Sequence, residues 1–235
     1  MSVVASRLWF AWTMTWTGLF SVLMILPGWG HYLLNPTTRR YWRWMRAWSW
    51  LGLGVGGIRV RSTGTPPEGP VVYVANHQSM GDIPALLLGI PRPFLFVARA
   101  SLKGRPLVST VLTQSKCVYL DLKAPEGGLA EAAARVAEGE SVLFYPEGTR
   151  SFDGVPGRFL TGAFRLAIEA GVPIVPVAVQ GSHEVLHESA FQARPGVISV
   201  RILDPLPADA PPRVLADAAR EAITDSLLAT APTPR

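Results

Sequence analysis

Seven short apolar runs, most of them β-branched, recur after residue 57 with helical patterns between them, and this rhythm restricts the fold more than any other feature of the chain. The runs cover residues 58–61, 71–75, 94–97, 117–120, 141–145, 174–179 and 197–203. Helices fit at 83–88, at 129–138 closing on Gly139, and at 163–170 closing on Gly171, with a last helix over 213–228. Strands that alternate with helices predict an α/β domain: a mixed sheet of about seven strands flanked by helices.

The part before residue 58 is built differently. All eight Trp lie between Trp9 and Trp50, and no Asp or Glu precedes Glu68. The first 67 residues carry seven arginines, so the net charge of +5 belongs to the N-terminal quarter. A nucleic-acid binder would spread its basic face over the folded domain, so that class is excluded. Residues 8–38 hold no charged side chain, and the 19 mostly apolar positions of 8–26 are long enough to enter or cross a bilayer. Pro27-Gly28-Trp29-Gly30 is expected to break that helix, which leaves open whether it spans or turns back.

Asn35-Pro36 reads as the cap and first-turn proline of a second helix running to Trp50. At 100° per residue, Tyr41, Trp44, Met45 and Trp48 gather on one side while Arg39, Arg43 and Arg46 gather on the other. That is the pattern of a helix lying in a membrane interface, its arginines at lipid headgroups on the cytoplasmic side. Residues 51–57, with four glycines, read as a hinge. The expected division is a hydrophobic and amphipathic two-helix membrane element over 1–57 and a second domain over 58–235. Cys117, the one cysteine, lies in an apolar run and reads as a buried structural thiol.

Two stretches carry chemistry. In Asn76-His77-Gln78-Ser79-Met80-Gly81-Asp82, just after an apolar strand, a histidine stands five positions ahead of an aspartate expected to cap the next helix, with Pro84 in its first turn. A carboxylate that takes the proton of one ring nitrogen leaves the other nitrogen basic, as a general base requires. In Phe144-Tyr145-Pro146-Glu147-Gly148-Thr149-Arg150-Ser151, Gly148 lets backbone N–H groups approach an anion. Thr149 and Ser151 offer hydroxyls, and Arg150 can grip a phosphate or carboxylate with two parallel bonds.

Asn-His-x4-Asp, then Phe-Tyr-Pro-Glu-Gly-Thr-Arg-Ser, then Val172-Pro173-Ile174-Val175-Pro176 closely resemble the glycerolipid acyltransferase family, its 1-acylglycerol-3-phosphate branch in particular, over about residues 58–205. The resemblance implies acyl transfer from an acyl-CoA or acyl carrier protein thioester to a lysophospholipid, with no metal and no other cofactor. It implies an enzyme at the cytoplasmic face of the cell membrane, with His77 as base and Asp82 as its orienting partner. The acceptor would meet Asn76, Arg99, Glu147, Gly148, Thr149 and Arg150. The chain departs from the family pattern twice: Asp121 is followed by Leu122 where Arg is usual, and Leu160-Thr161 replaces a basic pair before Gly162. Lys116, Lys123, Arg158 and Arg165 are the candidates to compensate. An acceptor other than lysophosphatidate, such as a lyso-amino-acid lipid, is the alternative these departures motivate.

Other classes leave traces too. His183-Glu184-Val185-Leu186-His187 spells the zinc-hydrolase pattern H-E-x-x-H, which needs both histidines on one helix. Ser79 is a weaker nucleophile candidate, without the glycines of a nucleophile elbow around it.

Overall fold

The computed structural model describes the backbone of residues 1–34, 38–151, 154–187 and 190–229, and side chains within these outside 24–40 and 106–108. Two long helices, α1 (Val3–Leu34) and α2 (Thr38–Val55), come first. Then follow β1 (Ile58–Thr63), β2 (Val72–Ala75), α3 (Asp82–Gly89), β3 (Leu95–Arg99), a 3-10 turn (Ala100–Gly104), α4 (Pro106–Gln114), β4 (Val118–Leu120) and α5 (Glu126–Ala137). The chain continues through β5 (Val142–Phe144), α6 (Gly162–Ala170), β6 (Ile174–Gln180), α7 (Ser182–Val185), β7 (Leu186–His187), β8 (Gln192–Ala193), β9 (Gly196–Ile202) and α8 (Pro212–Leu228).

The expected mixed sheet forms, in the order β1-β9-β6-β2-β5-β3-β4. Only the β6–β9 pairing in it is antiparallel, with Val179 opposite Val200. Each strand separates two cores because alternate side chains point to opposite faces. Tyr73, Ala75, Leu143 and Val177 pack under α2 and α3, while Val72, Val74, Val142 and Phe144 pack under α5, α6 and α8. Gly171 ends α6 in the left-handed region at φ 64°, as its place after the apolar periodicity predicts.

The N-terminal element departs from expectation. Pro27 and its glycines do not end α1, which runs on to Leu34; a helix of this length bears the loss of one N–H. Among the described residues no helix is long and apolar enough to cross a membrane. The expected cap at Asn35-Pro36 lies outside the described residues. The expected hinge is helical to Val55, and two of its glycines lie close to α1: a methyl group added at Gly56 would sit 3.1 Å from Thr13 Cγ2, and one at Gly52 3.5 Å from Thr17 Cγ2. The turn into β1 comes at Gly57, with φ 66°.

The aromatic stripe of α2 faces the protein. Tyr41 and Met45 are buried in the same core as the sheet, and the Tyr41 hydroxyl donates to the carbonyl of Val111. Arg46 turns inward as well, donating to the carbonyls of Leu87, Leu88 (3.1 Å) and Ile90 (3.2 Å) while its guanidinium lies over Trp42. The reason is the C-terminus of α3, whose last carbonyls have no partner within the helix and require a donor. Arg43 and Trp50 remain outside.

Candidate active site

The carboxyl ends of the parallel strands β2, β5, β3 and β4 share one edge of the sheet, where ligands of open α/β sheets bind. His77 follows β2, and the second motif follows β5 beside it. Asp82 opens α3 as its first residue and does not cap it; Gly81 holds the cap position. The carboxylate points back into the turn because donors await it there. Its Oδ2 accepts from His77 Nδ1 at 2.8 Å, Gln78 N at 2.7 Å and Ser79 N at 2.9 Å. Asp82 is fully buried, whereas the His77 side chain keeps 17% exposure. The imidazole is therefore fixed through Nδ1, with Nε2 left for chemistry.

The second motif holds the peptide of His77 at both polar groups. Glu147 accepts the His77 N–H at Oε1 (2.9 Å) and the Gly157 N–H at Oε2 (2.9 Å), and Ser151 N donates to the His77 carbonyl (2.8 Å). Burial raises the Glu147 pKa, against the lowering pull of those N–H donors. Gly148, at φ 65°, supplies the left-handed turn between Glu147 and Thr149. Thr149 and Arg99 are exposed and Arg150 is half-buried, Arg99 ending β3 on the same edge.

Asn76 is corrected. Its side chain is buried and exchanges two 2.8 Å hydrogen bonds with the backbone of Val179, so it fastens β2 to β6 in the manner of a peptide group and has no face for an acceptor. Lys116 precedes β4 and sits at the opposite end of that strand from the site, so it cannot compensate for Leu122. Lys123 follows β4 on the site's edge. Leu122 and Leu160 both lie beside the Gly148 turn: a methyl group added at Gly148 would lie 3.2 Å from Leu160 Cδ1 and 3.7 Å from Leu122 Cδ1.

Sequence reasoning missed Tyr145, whose ring stacks on the imidazole at 3.9 Å between centroids and 18° between planes. It missed an open cavity of about 390 Å³ as well, lined by α1, α2, α3, α4 and β3, with Met14, Tyr41, Met45, Leu53 and Phe96 in its wall. Met80, Gly81 and Ile83, around Asp82, also line it. His77 and Arg150 do not line it; Tyr145 connects the imidazole to Phe96.

The competing sites lose their premises. α7 ends at Val185, so His183 and His187 stand on a four-residue helix and a strand, and Glu184 pairs with Arg194 at 2.9 Å. Ser79 Oγ donates to the Leu186 carbonyl and accepts the Gly81 N–H.

Residues 57–180, just over half of the chain, match the Acyltransferase family. The chain belongs to that family. The chain is 39% identical to a 1-acyl-sn-glycerol-3-phosphate acyltransferase of Chlamydomonas reinhardtii over 69% of its own length and 50% of the relative's. With the protein of that name from Pseudomonas aeruginosa it shares 32% identity over 68% of its own length and 63% of the other. The chain spans about half the length of the Chlamydomonas and Arabidopsis thaliana relatives it matches. Its fold is that of the crystal structure of the 1-acyl-sn-glycerophosphate acyltransferase from Thermotoga maritima, with TM-score 0.82, 21% identity, and 98% and 99% of the two chains covered.

Proposed function

We propose that this acyltransferase moves a fatty acyl group from an acyl-CoA or acyl carrier protein thioester to the free hydroxyl of 1-acylglycerol-3-phosphate, giving phosphatidic acid. The observation that carries the reading is the 2.8 Å contact between His77 Nδ1 and a buried Asp82. An alcohol is a poor nucleophile at neutral pH, so a base must take its proton as it attacks; neutral His77 does this at Nε2, for roughly 10²- to 10⁴-fold of rate. Asp82 fixes the tautomer and balances the imidazolium, which then protonates the departing thiolate. Backbone N–H groups near Gly148 are the donors proposed for the oxyanion. Arg150 and Arg99 meet the acceptor's phosphate from the sheet edge, Thr149 adds a hydroxyl, and Glu147 acts by holding the loop. The apolar cavity beside Met80 and Ile83 has the size and lining to take a fatty chain.

The site works on lipids at a membrane surface, on the cytoplasmic side. Along α1, Val4, Leu8, Trp12, Leu19 and Val22 are exposed, and Arg7 is the single charged residue between Val3 and Leu23. An apolar face of this extent is suited to burial among acyl chains.

A second acceptor class follows from Leu122 and Leu160. Both leucines are close to half exposed (45% and 49%) against the Gly148 turn, where an anionic headgroup would be better met by cations. A lysolipid with a less anionic headgroup, such as a lyso-amino-acid lipid, fits that rim. A transfer assay offering lysophosphatidate and such a lysolipid with both thioesters tests the reading. Phosphatidic acid as the main product supports it, faster transfer to the other lysolipid selects the second class, and no transfer to any acceptor defeats both.

A further inference from the structure

We propose that Tyr145 is the positioning residue for the His77 imidazole, holding it against tilt so that Nε2 meets the acceptor hydroxyl in line. This rests on the acyl-transfer reading and adds to it a side chain outside the histidine–aspartate pair. The Nδ1 bond to Asp82 is a single tether. One hydrogen bond, together with the side chain's own bond at Cγ, leaves the ring room to rock about the Cβ–Cγ axis within the angular tolerance of that hydrogen bond. The Tyr145 ring removes this freedom by covering one face of the imidazole at 3.9 Å, almost parallel to it.

Tyr145 is itself held from three sides. Pro146 follows it and restricts its backbone to the extended region. Phe96 stacks behind it at 6.4 Å and 20°, and Phe94 meets Phe96 edge-on at 5.0 Å. The hydroxyl end is enclosed, with no hydrogen-bond partner among the described residues, and burial together with the nearby Asp82 carboxylate raises its pKa well above the usual tyrosine value. Tyr145 therefore stays neutral and immobile while the imidazole changes charge.

The reaction makes use of both properties. The acceptor O–H bond breaks and its proton passes to Nε2; the oxygen forms a bond to the thioester carbonyl carbon, and the carbonyl π pair moves onto oxygen. That pair then returns, the C–S bond breaks, and the thiolate takes the proton from Nε2. Between these events His77 is a cation with an aromatic face against it, a favourable arrangement in a desolvated site. The imidazole face that Tyr145 covers is closed to substrate by the ring itself, so losing the ring is expected to slow turnover and leave binding alone.

The test compares the purified full chain with Tyr145→Phe and Tyr145→Leu. The phenylalanine variant keeps the stack and is expected to keep kcat near the parent value. The leucine variant is expected to lose about 10- to 100-fold in kcat, with the KM of both substrates unchanged, as misplacement of a reacting group by about 1 Å does. Tyr145→Met stands in if urea melts show that the leucine variant does not fold. Solvent exchange of the His77 Nδ1–H, read by NMR, should quicken in the leucine variant and not in the phenylalanine one. Parental kcat and exchange in the leucine variant would overturn the proposal. So would a phenylalanine variant as slow as the leucine one, since the hydroxyl would then carry the effect. A parent protein without transfer to any acceptor defeats the acyl-transfer reading, while the exchange measurement still decides the role of Tyr145.

Discussion

Glu147 accepts the backbone N–H of His77 and, with its other oxygen, the N–H of Gly157, both at 2.9 Å. One carboxylate thus ties the strand end that carries His77 to the loop beyond the Gly148 turn. Glutamine offers one acceptor and turns a donor toward the remaining N–H. Glu147→Gln is expected to lower stability by about 1–3 kcal/mol and to reduce turnover with it. Urea melts and steady-state kinetics check this, and a variant as stable and active as the parent would refute the tie.

Arg46 closes the carboxyl end of the helix that Asp82 opens. Arg46→Met leaves those carbonyls without a donor in a half-buried place. The urea midpoint should fall by an amount equivalent to about 1–3 kcal/mol with an unchanged denaturant slope. An unshifted midpoint would mean that the arginine is dispensable to the fold.

Burial pushes the Cys117 thiol up to about 12. A raised pKa favours the neutral form, so at pH 8 the thiolate fraction in the folded protein is on the order of 10⁻⁴. Iodoacetamide should leave the native protein unmodified and label it promptly in urea, as mass spectrometry can follow. Rapid labelling of the folded chain would contradict the burial.

Leu122 and Leu160 flank Gly148. If the headgroup lies there, Leu122→Arg should lower the KM for a phosphate-bearing acceptor by about 5-fold, the worth of roughly 1 kcal/mol at an exposed site. The gain should shrink at high salt and leave the thioester KM unchanged. Equal effects on both substrates would place the headgroup elsewhere.

The sheet was legible because β-branched runs of strand length recur between helical patterns, and the His77–Asp82 pair because five residues suffice to cross one turn. What stayed hidden depends on partners distant in sequence. Val179, 103 residues from Asn76, is what makes that amide structural. Arg46 and the α2 aromatics read as interfacial until α3 and the sheet supply partners for them. The α4 helix was missed because Val108, Thr110, Val111 and Thr113 read as strand-forming, although Pro106 in the first turn was a start signal. Tyr145 left a faint signal: strand alternation from Phe144 puts its ring on the face that also carries Tyr73 and Ala75, four and two residues before His77.

If His77, oriented by Asp82, removes the proton from the acceptor hydroxyl, losing its imidazole stops transfer and nothing else. Initial-rate acyl transfer by His77→Ala, with circular dichroism and vesicle binding measured on the same preparation, tests it most directly. Folding and vesicle binding should be unchanged, with turnover reduced by about 10²-fold or more. Turnover retained near the parent rate in a folded, vesicle-bound variant would contradict it.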